Sequence, residues 1–133
     1  MVFARRVFLI AGIYGLVALL PLYFMEDRIS GDQPPAITHP EFFYGFIGLA
    51  LAWQVAFLII ASDPARYRLL IIPSILEKVS VGFAIIALYA FGRIPVPVFA
   101  VGLIDLAWGI LFTAGYWTAG RRESISGVRN EGA

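Results

Sequence analysis

The chain predicts an all-α integral membrane protein, a four-helix transmembrane bundle with both termini in the cytoplasm (N-in/C-in). Three observations carry this. Four long apolar runs fill most of its 133 residues. Hydrophobic residues make up 60% and charged residues 14%, whereas soluble domains run at about 45–50% and about 25%. The basic residues between the runs alternate sides. A chain this short has too little interior to hide so much apolar surface, so lipid is the expected solvent for much of it.

The runs span about residues 5–24, 41–61, 66–92 and 96–118. Each is about 20 residues or longer, and at about 1.5 Å per residue that crosses a hydrocarbon core of about 30 Å. Arg5 and Arg6 precede the first run, which ends in Tyr23-Phe24-Met25-Glu26 without a small-residue cleavage site. A retained signal anchor is therefore expected rather than a cleaved leader. Pro21 and Pro73 each remove a backbone hydrogen bond inside a span and are expected to kink it. The segment from Met25 to Thr38 is acidic and turn-rich, too short to fold alone, and placed to lie across the bundle mouth as a lid. Thr38 and Glu41 have capping-box spacing with Pro40 in the first turn, which specifies the start of the second helix. Asp63-Pro64 reads as an N-cap and first position, so the third helix is expected from Pro64. Val96-Pro97 opens the fourth. Gly48, Ala52 and Ala56 recur every four residues, with Ala11 and Gly15 as a shorter version, and predict close helix contact. Residues 1–120 form one domain, and residues 121–133 a polar cytoplasmic tail expected to fray.

Arginine placement sets the orientation. Arg5, Arg6, Arg66, Arg68, Arg121, Arg122 and Arg129 fall on one side, and Arg28 and Arg93 on the other. This positive-inside bias puts both termini in the cytoplasm, and the expected location is the inner (plasma) membrane of a bacterium. The net charge of +1 offers no basic stripe for nucleic acid. The absence of cysteine excludes disulfides, thiol catalysis and iron–sulfur ligation. No motif implies a cofactor. His39, Glu41, Asp32, Glu26 and Asp27 gather on the outer face, but their spacing matches no metal site and loop solvation with helix capping explains them. The expected partners are the bilayer and a hydrophobic small molecule, with the chain acting as a monomer or homodimer.

Glu77, Lys78 and Asp105 sit deep inside spans. A charge there costs about 2.5–3.5 kcal/mol on insertion, so such residues face the bundle interior and mark function. Counted from the basic ends, Gln54 lies about 10 Å deep, Glu77 about 12 Å, Tyr14 and Lys78 about 13 Å, Trp108 about 15 Å and Asp105 about 20 Å. All four helices thus contribute to one layer. Two carboxylates against one ammonium leave an excess negative charge, which a poorly solvated site relieves by holding a proton. Neighbours on a helix diverge by about 100°, so Lys78 is expected to reach Asp105 while Glu77 turns toward Gln54 and Tyr14. A buried Lys–Asp pair that merely locks helices together accounts for the same residues.

Helices one to three resemble the EXPERA group, four-span proteins that include the emopamil-binding sterol isomerases and the sigma-2 receptor. The resemblance lies in Pro21-Leu-Tyr-Phe-Met-Glu26-Asp27, in Pro40-Glu-Phe-Phe-Tyr-Gly-Phe with Trp53-Gln54, and in Ile72-Pro73-Ser-Ile-Leu. It covers about two-thirds of the chain. The group often carries an acid on helix two where this chain has Ala50, so the sterol-isomerase chemistry does not transfer intact. What the resemblance implies is a cavity among kinked helices for a flat, lipid-like ligand, with Asp27 at its outer end. The expected function is binding, or isomerising, a sterol- or lipid-like molecule in an intramembrane cavity. Glu77 and Asp105 would be the candidate catalytic acids, and Tyr14, Asp27, Gln54, Lys78 and Trp108 the ligand contacts. Two alternatives remain: a dimeric proton-coupled exporter, and a structural or accessory subunit.

Overall fold

The computed structural model describes the backbone of residues 2–130 and the side chains of residues 2–120. Helix α1 (Val2–Leu19) runs into a 3-10 segment (Leu20–Phe24) and a short helix α2 (Glu26–Asp32). Helices α3 (Pro40–Ser62), α4 (Arg68–Ala90) and α5 (Val96–Asn130) follow. Four helical stretches are long and apolar enough to cross a membrane: Val2–Phe24, Pro40–Ser62, Arg68–Ala90 and Val96–Gly120. Four such stretches bring the start of α1 and residue Gly120 of α5 to one end of the bundle, here the near end. By length and composition the chain is a small integral membrane protein.

The two internal prolines behave differently. At Pro21 the chain leaves α geometry for 3-10 geometry over Leu20–Phe24, because the ring clashes with the carbonyl an α turn would place behind it. Pro73 sits inside α4, which continues through it.

The helix starts also depart from expectation. His39, not Thr38, occupies the N-cap position of α3 and makes no side-chain cap bond. The Glu41 carboxylate instead meets His39 Nδ1 at 3.0 Å. Asp63 does cap, its Oδ1 accepting from the Arg66 amide at 3.1 Å. What it caps, however, is a separate turn, closed by Tyr67 N–H donating to the Asp63 carbonyl at 3.1 Å, and α4 starts only at Arg68. At the other end of α4, Gly92 takes φ +67. Gly92 N–H then reaches the Tyr89 carbonyl and Arg93 N–H the Leu88 carbonyl, both at 2.9 Å. This is a Schellman ending, which a side chain at Gly92 would strain. The expected frayed tail is helical in backbone as far as Asn130.

Packing divides the bundle into two helix pairs. α1 lies along α3 and α4 along α5; α1 and α5 join the pairs, while α3 and α4 touch only sparsely. In the near half the pairs are fused by three buried rings. Phe8 stacks on Phe112 at 4.3 Å, and Phe57 meets Phe112 edge-on at 4.9 Å. Val7, Ala11, Ile60, Ala61, Ile71 and Ala119 complete this core. The outward faces carry Val17, Leu49, Leu76, Phe83 and Ile110, all exposed, as a lipid-facing surface requires.

Within each pair, glycine sets the helix separation. A Cβ at Gly15 would strike the Gln54 side chain, and one at Gly12 would lie 2.7 Å from Leu58 Cδ2. In the second pair a Cβ at Gly82 would strike Leu106, and one at Gly102 would strike Ile85. The expected Gly48–Ala52–Ala56 face is only partly used, since Gly48 lies under the Tyr23 hydroxyl but Ala52 points outward. Gly102→Ala is therefore expected to destabilise the protein by about 1–3 kcal/mol, because β-branched Ile85 is stiff and cannot yield. Gly45→Ala, with nothing within 4 Å of the added methyl, is expected to stabilise by about 0.5–1 kcal/mol. Thermal unfolding in detergent compares them, and equal shifts would remove glycine as the spacer between α4 and α5.

The far-end segment does not cap the bundle. Tyr44 Oη donates to Glu26 Oε2 at 2.7 Å, Tyr23 stacks on Tyr44 at 5.9 Å, and the Ile37 amide donates to Ser30 Oγ at 3.1 Å. The first contact ties α2 to α3 and the last ties the loop back to α2, and no residue from 25 to 45 lines the interior cavity.

Candidate functional site

Beyond the aromatic core the two helix pairs part, and the space between them is a cavity of about 360 Å³ walled by α1, the 3-10 segment, α3, α4 and α5. Its wall is mostly apolar: Ala11, Gly15, Ala18 and Leu22 on the first span, Phe46, Ala50 and Phe57 on α3, and Val81, Val101 and Ile104 on α4 and α5. Six polar or amphipathic side chains also line it, namely Tyr14, Gln54, Glu77, Lys78, Asp105 and Trp108. All six stand in the layer read from the sequence.

Lys78 is the centre of this group. Its side chain is 10% exposed, and Nζ donates to Asp105 Oδ1 at 2.7 Å, a short charge-assisted bond. The partner choice expected from helix geometry is thus realised, and it joins α4 to α5 within one pair. Nζ also lies 5.5 Å from the centre of the Phe57 ring on α3, within cation–π range.

Glu77 departs from expectation. Its carboxylate makes no hydrogen bond to Gln54 or Tyr14 among the described residues. The long lysine stem folds back instead, leaving Nζ 3.5 Å from Glu77 Oε1 and 3.3 Å from Oε2. The first contact is at the outer limit of a hydrogen bond, and the second is an ion-pair distance without donor alignment. Oε2 is therefore a buried oxygen that accepts no hydrogen bond among the described residues, despite a cation beside it. The ammonium has committed its well-directed bond to Asp105, and Glu77 is left under-satisfied.

Gln54 is 3% exposed. Its Nε2 donates to the Ala50 carbonyl one turn back at 3.0 Å, while its side chain lies over Gly15. A glutamine between two spans is thus satisfied by its own helix, and the absence of a side chain at Gly15 makes its room. Tyr14 and Trp108 face each other at 6.0 Å between ring centres, across the α1–α5 boundary. Asp27 is exposed on α2 and does not line the cavity. The helical turn that begins at Glu26 turns it away from the bundle.

Small and apolar walls carry no polar signature, so Ala11, Ala18, Ala50, Val81 and Val101 were illegible as site residues. The helical spacing Ala11, Gly15, Ala18, Leu22 is the one pattern that marks a continuous inner stripe. On the far-end surface, His39 pairs with Glu41, and Arg28 Nε meets Asp32 Oδ2 at 3.4 Å. No set of three or more metal-ligating side chains gathers among the described residues.

Fold and site together define a small four-span membrane protein, with a half-enclosed apolar cavity and a charged cluster in its wall. Comparison with models of protein families, with characterised proteins and with solved structures finds no match.

Proposed function

We propose that the protein binds a small hydrophobic, lipid- or sterol-like molecule in the cavity between its two helix pairs. The observation that carries this reading is the composition of the cavity wall, which is apolar on four helices and broken by the charged cluster Glu77, Lys78 and Asp105. Its volume of about 360 Å³ falls in the range of small-molecule sites, about 300–1,000 Å³. An apolar body would fill the wall, and a polar group would be oriented by Lys78, Asp105 and Glu77. The EXPERA resemblance supports the same use of a four-span cavity. Ala50, which stands where that group often has an acid, itself lines the cavity. In this reading Glu77 and Asp105 supply carboxyl groups from α4 and α5 instead. If the bound molecule is also isomerised, Glu77 is the group to move a proton, because its carboxylate is the less firmly paired of the two.

Native mass spectrometry of the protein released gently from membranes tests this. Wild type is expected to retain a hydrophobic molecule that Glu77→Gln and Ala50→Phe both lose, the first by removing a charge and the second by filling the cavity. Spectra without any adduct, and thermal stability unchanged across all three proteins, would assign the cluster to helix locking alone.

A further inference from the structure

The cavity wall is thin along the α1–α5 line, and Phe46 on α3, 56% exposed, is a second thin place. Tyr14 and Ala18 on α1, and Val101 and Ile104 on α5, all line the cavity. Yet Tyr14 is 45% exposed, Val101 64% and Ile104 41%, and Ala18 is exposed as well. A side chain that borders both cavity and exterior marks a wall one residue thick. In these spans the exterior is hydrocarbon, not water. α1 and α5 are close in the near half, where Phe8 stacks on Phe112 and a Cβ at Gly115 would lie 3.3 Å from Phe8. Farther along, the ring contact that joins them is Tyr14 with Trp108 at 6.0 Å.

We propose that the α1–α5 seam is a lateral opening from the bilayer into the cavity, and that the cavity admits an uncharged amphiphile already dissolved in the membrane. The class of head group follows from the cluster. Two carboxylates stand against one ammonium, and that ammonium already donates to Asp105 at 2.7 Å. A phosphate or carboxylate head would meet a cation already committed to Asp105, with a second carboxyl group beside it, and would bring an uncompensated negative charge into low dielectric. A hydroxyl or amide head can donate to the carboxylates without bringing charge. The head-group statement rests on the ligand-site reading above; the seam does not.

The test uses Trp108 as reporter. Trp53→Phe with Trp117→Phe leaves it the sole tryptophan of the three. The protein is placed in phosphatidylcholine vesicles whose acyl chains carry bromine, a contact quencher. Bromolipid is expected to quench Trp108, and aqueous iodide is not. Ala18→Phe or Val101→Phe, each narrowing the seam from a different helix, is expected to cut the bromolipid quenching sharply. Oleyl alcohol is expected to protect Trp108 from bromolipid, and oleate to leave it unprotected.

Quenching that both plugs leave unchanged overturns the seam, since Trp108 would then simply touch outer lipid. Iodide quenching overturns it in favour of a water-facing mouth, and silence to both quenchers overturns it in favour of a sealed cavity. Equal protection by oleate overturns the uncharged head group. If bromolipid enters through the seam while neither amphiphile protects and no adduct survives in the mass spectrum, the ligand-site reading fails and the seam stands.

Discussion

Lys78→Met is expected to destabilise the bundle by about 2–4 kcal/mol, below the cost of breaking a fully buried pair because Asp105 is only partly buried. Methionine replaces most of the lysine stem, so the loss isolates the ammonium from its packing. Two carboxylates would remain in one wall, Asp105 without its 2.7 Å partner and Glu77 without the cation at 3.3 Å. The double variant Lys78→Met with Asp105→Asn is expected to recover part of the loss, because the orphaned charge goes with its partner. Denaturant unfolding in mixed micelles measures both. A single-variant cost below about 1 kcal/mol, the range of solvated surface pairs, would mean that water fills the cavity and screens the cluster. In that case the charge argument against anionic ligands fails with it.

Phe57→Ala is expected to cost about 3–5 kcal/mol, the range for removing a buried aromatic ring. Association in a membrane lacks a hydrophobic drive between helices and depends on close packing, so the void is not offset. Phe57 is fully buried and has both aromatic rings and a cation beside it. It meets Phe112 at 4.9 Å and Phe8 at 6.1 Å, and lies 5.5 Å from Lys78 Nζ. It is also the floor of the cavity, so its loss would extend the open space into the near half. Phe57→Leu, which keeps most of the volume, is expected to cost much less. Equal losses for Ala and Leu would show that the aromatic edge contact and the cation, rather than the filled volume, hold the pairs together.

The polar layer was legible because charge inside an apolar run is conspicuous and depth follows from counting residues. Tyr14, Gln54, Glu77, Lys78 and Trp108 were placed in one layer by that count, with Asp105 somewhat above it, and all six line one cavity. The bonding within the layer was legible only where geometry forced it. Lys78 reaches Asp105 because a long side chain on α4 finds a carboxylate on the helix beside it. Glu77 lines the cavity with Gln54 and Tyr14, but its contact with Lys78 was not foreseen, because helix divergence is a statement about Cβ directions and a flexible lysine can fold back across it. Asp27 was misplaced because the sequence of the first outer segment reads as loop. Seven residues of helix there turn the side chain out.

The number of spans was determined by the sequence alone, because a hydrocarbon core demands about 20 apolar residues for each crossing and this chain supplies that four times. The depth of each charged residue follows from the same arithmetic. The tertiary structure decided which helices pair, and therefore where the hollow lies. Gly12 and Gly15 draw α1 onto α3, Gly82 and Gly102 draw α4 onto α5, and three phenylalanines fuse the pairs at one end only. Spacing along a chain is local and can be counted in sequence. Which face of one helix meets which face of another depends on side-chain volumes matched across residues far apart in the chain, such as Gly102 with Ile85, and that matching exists only once the helices are packed.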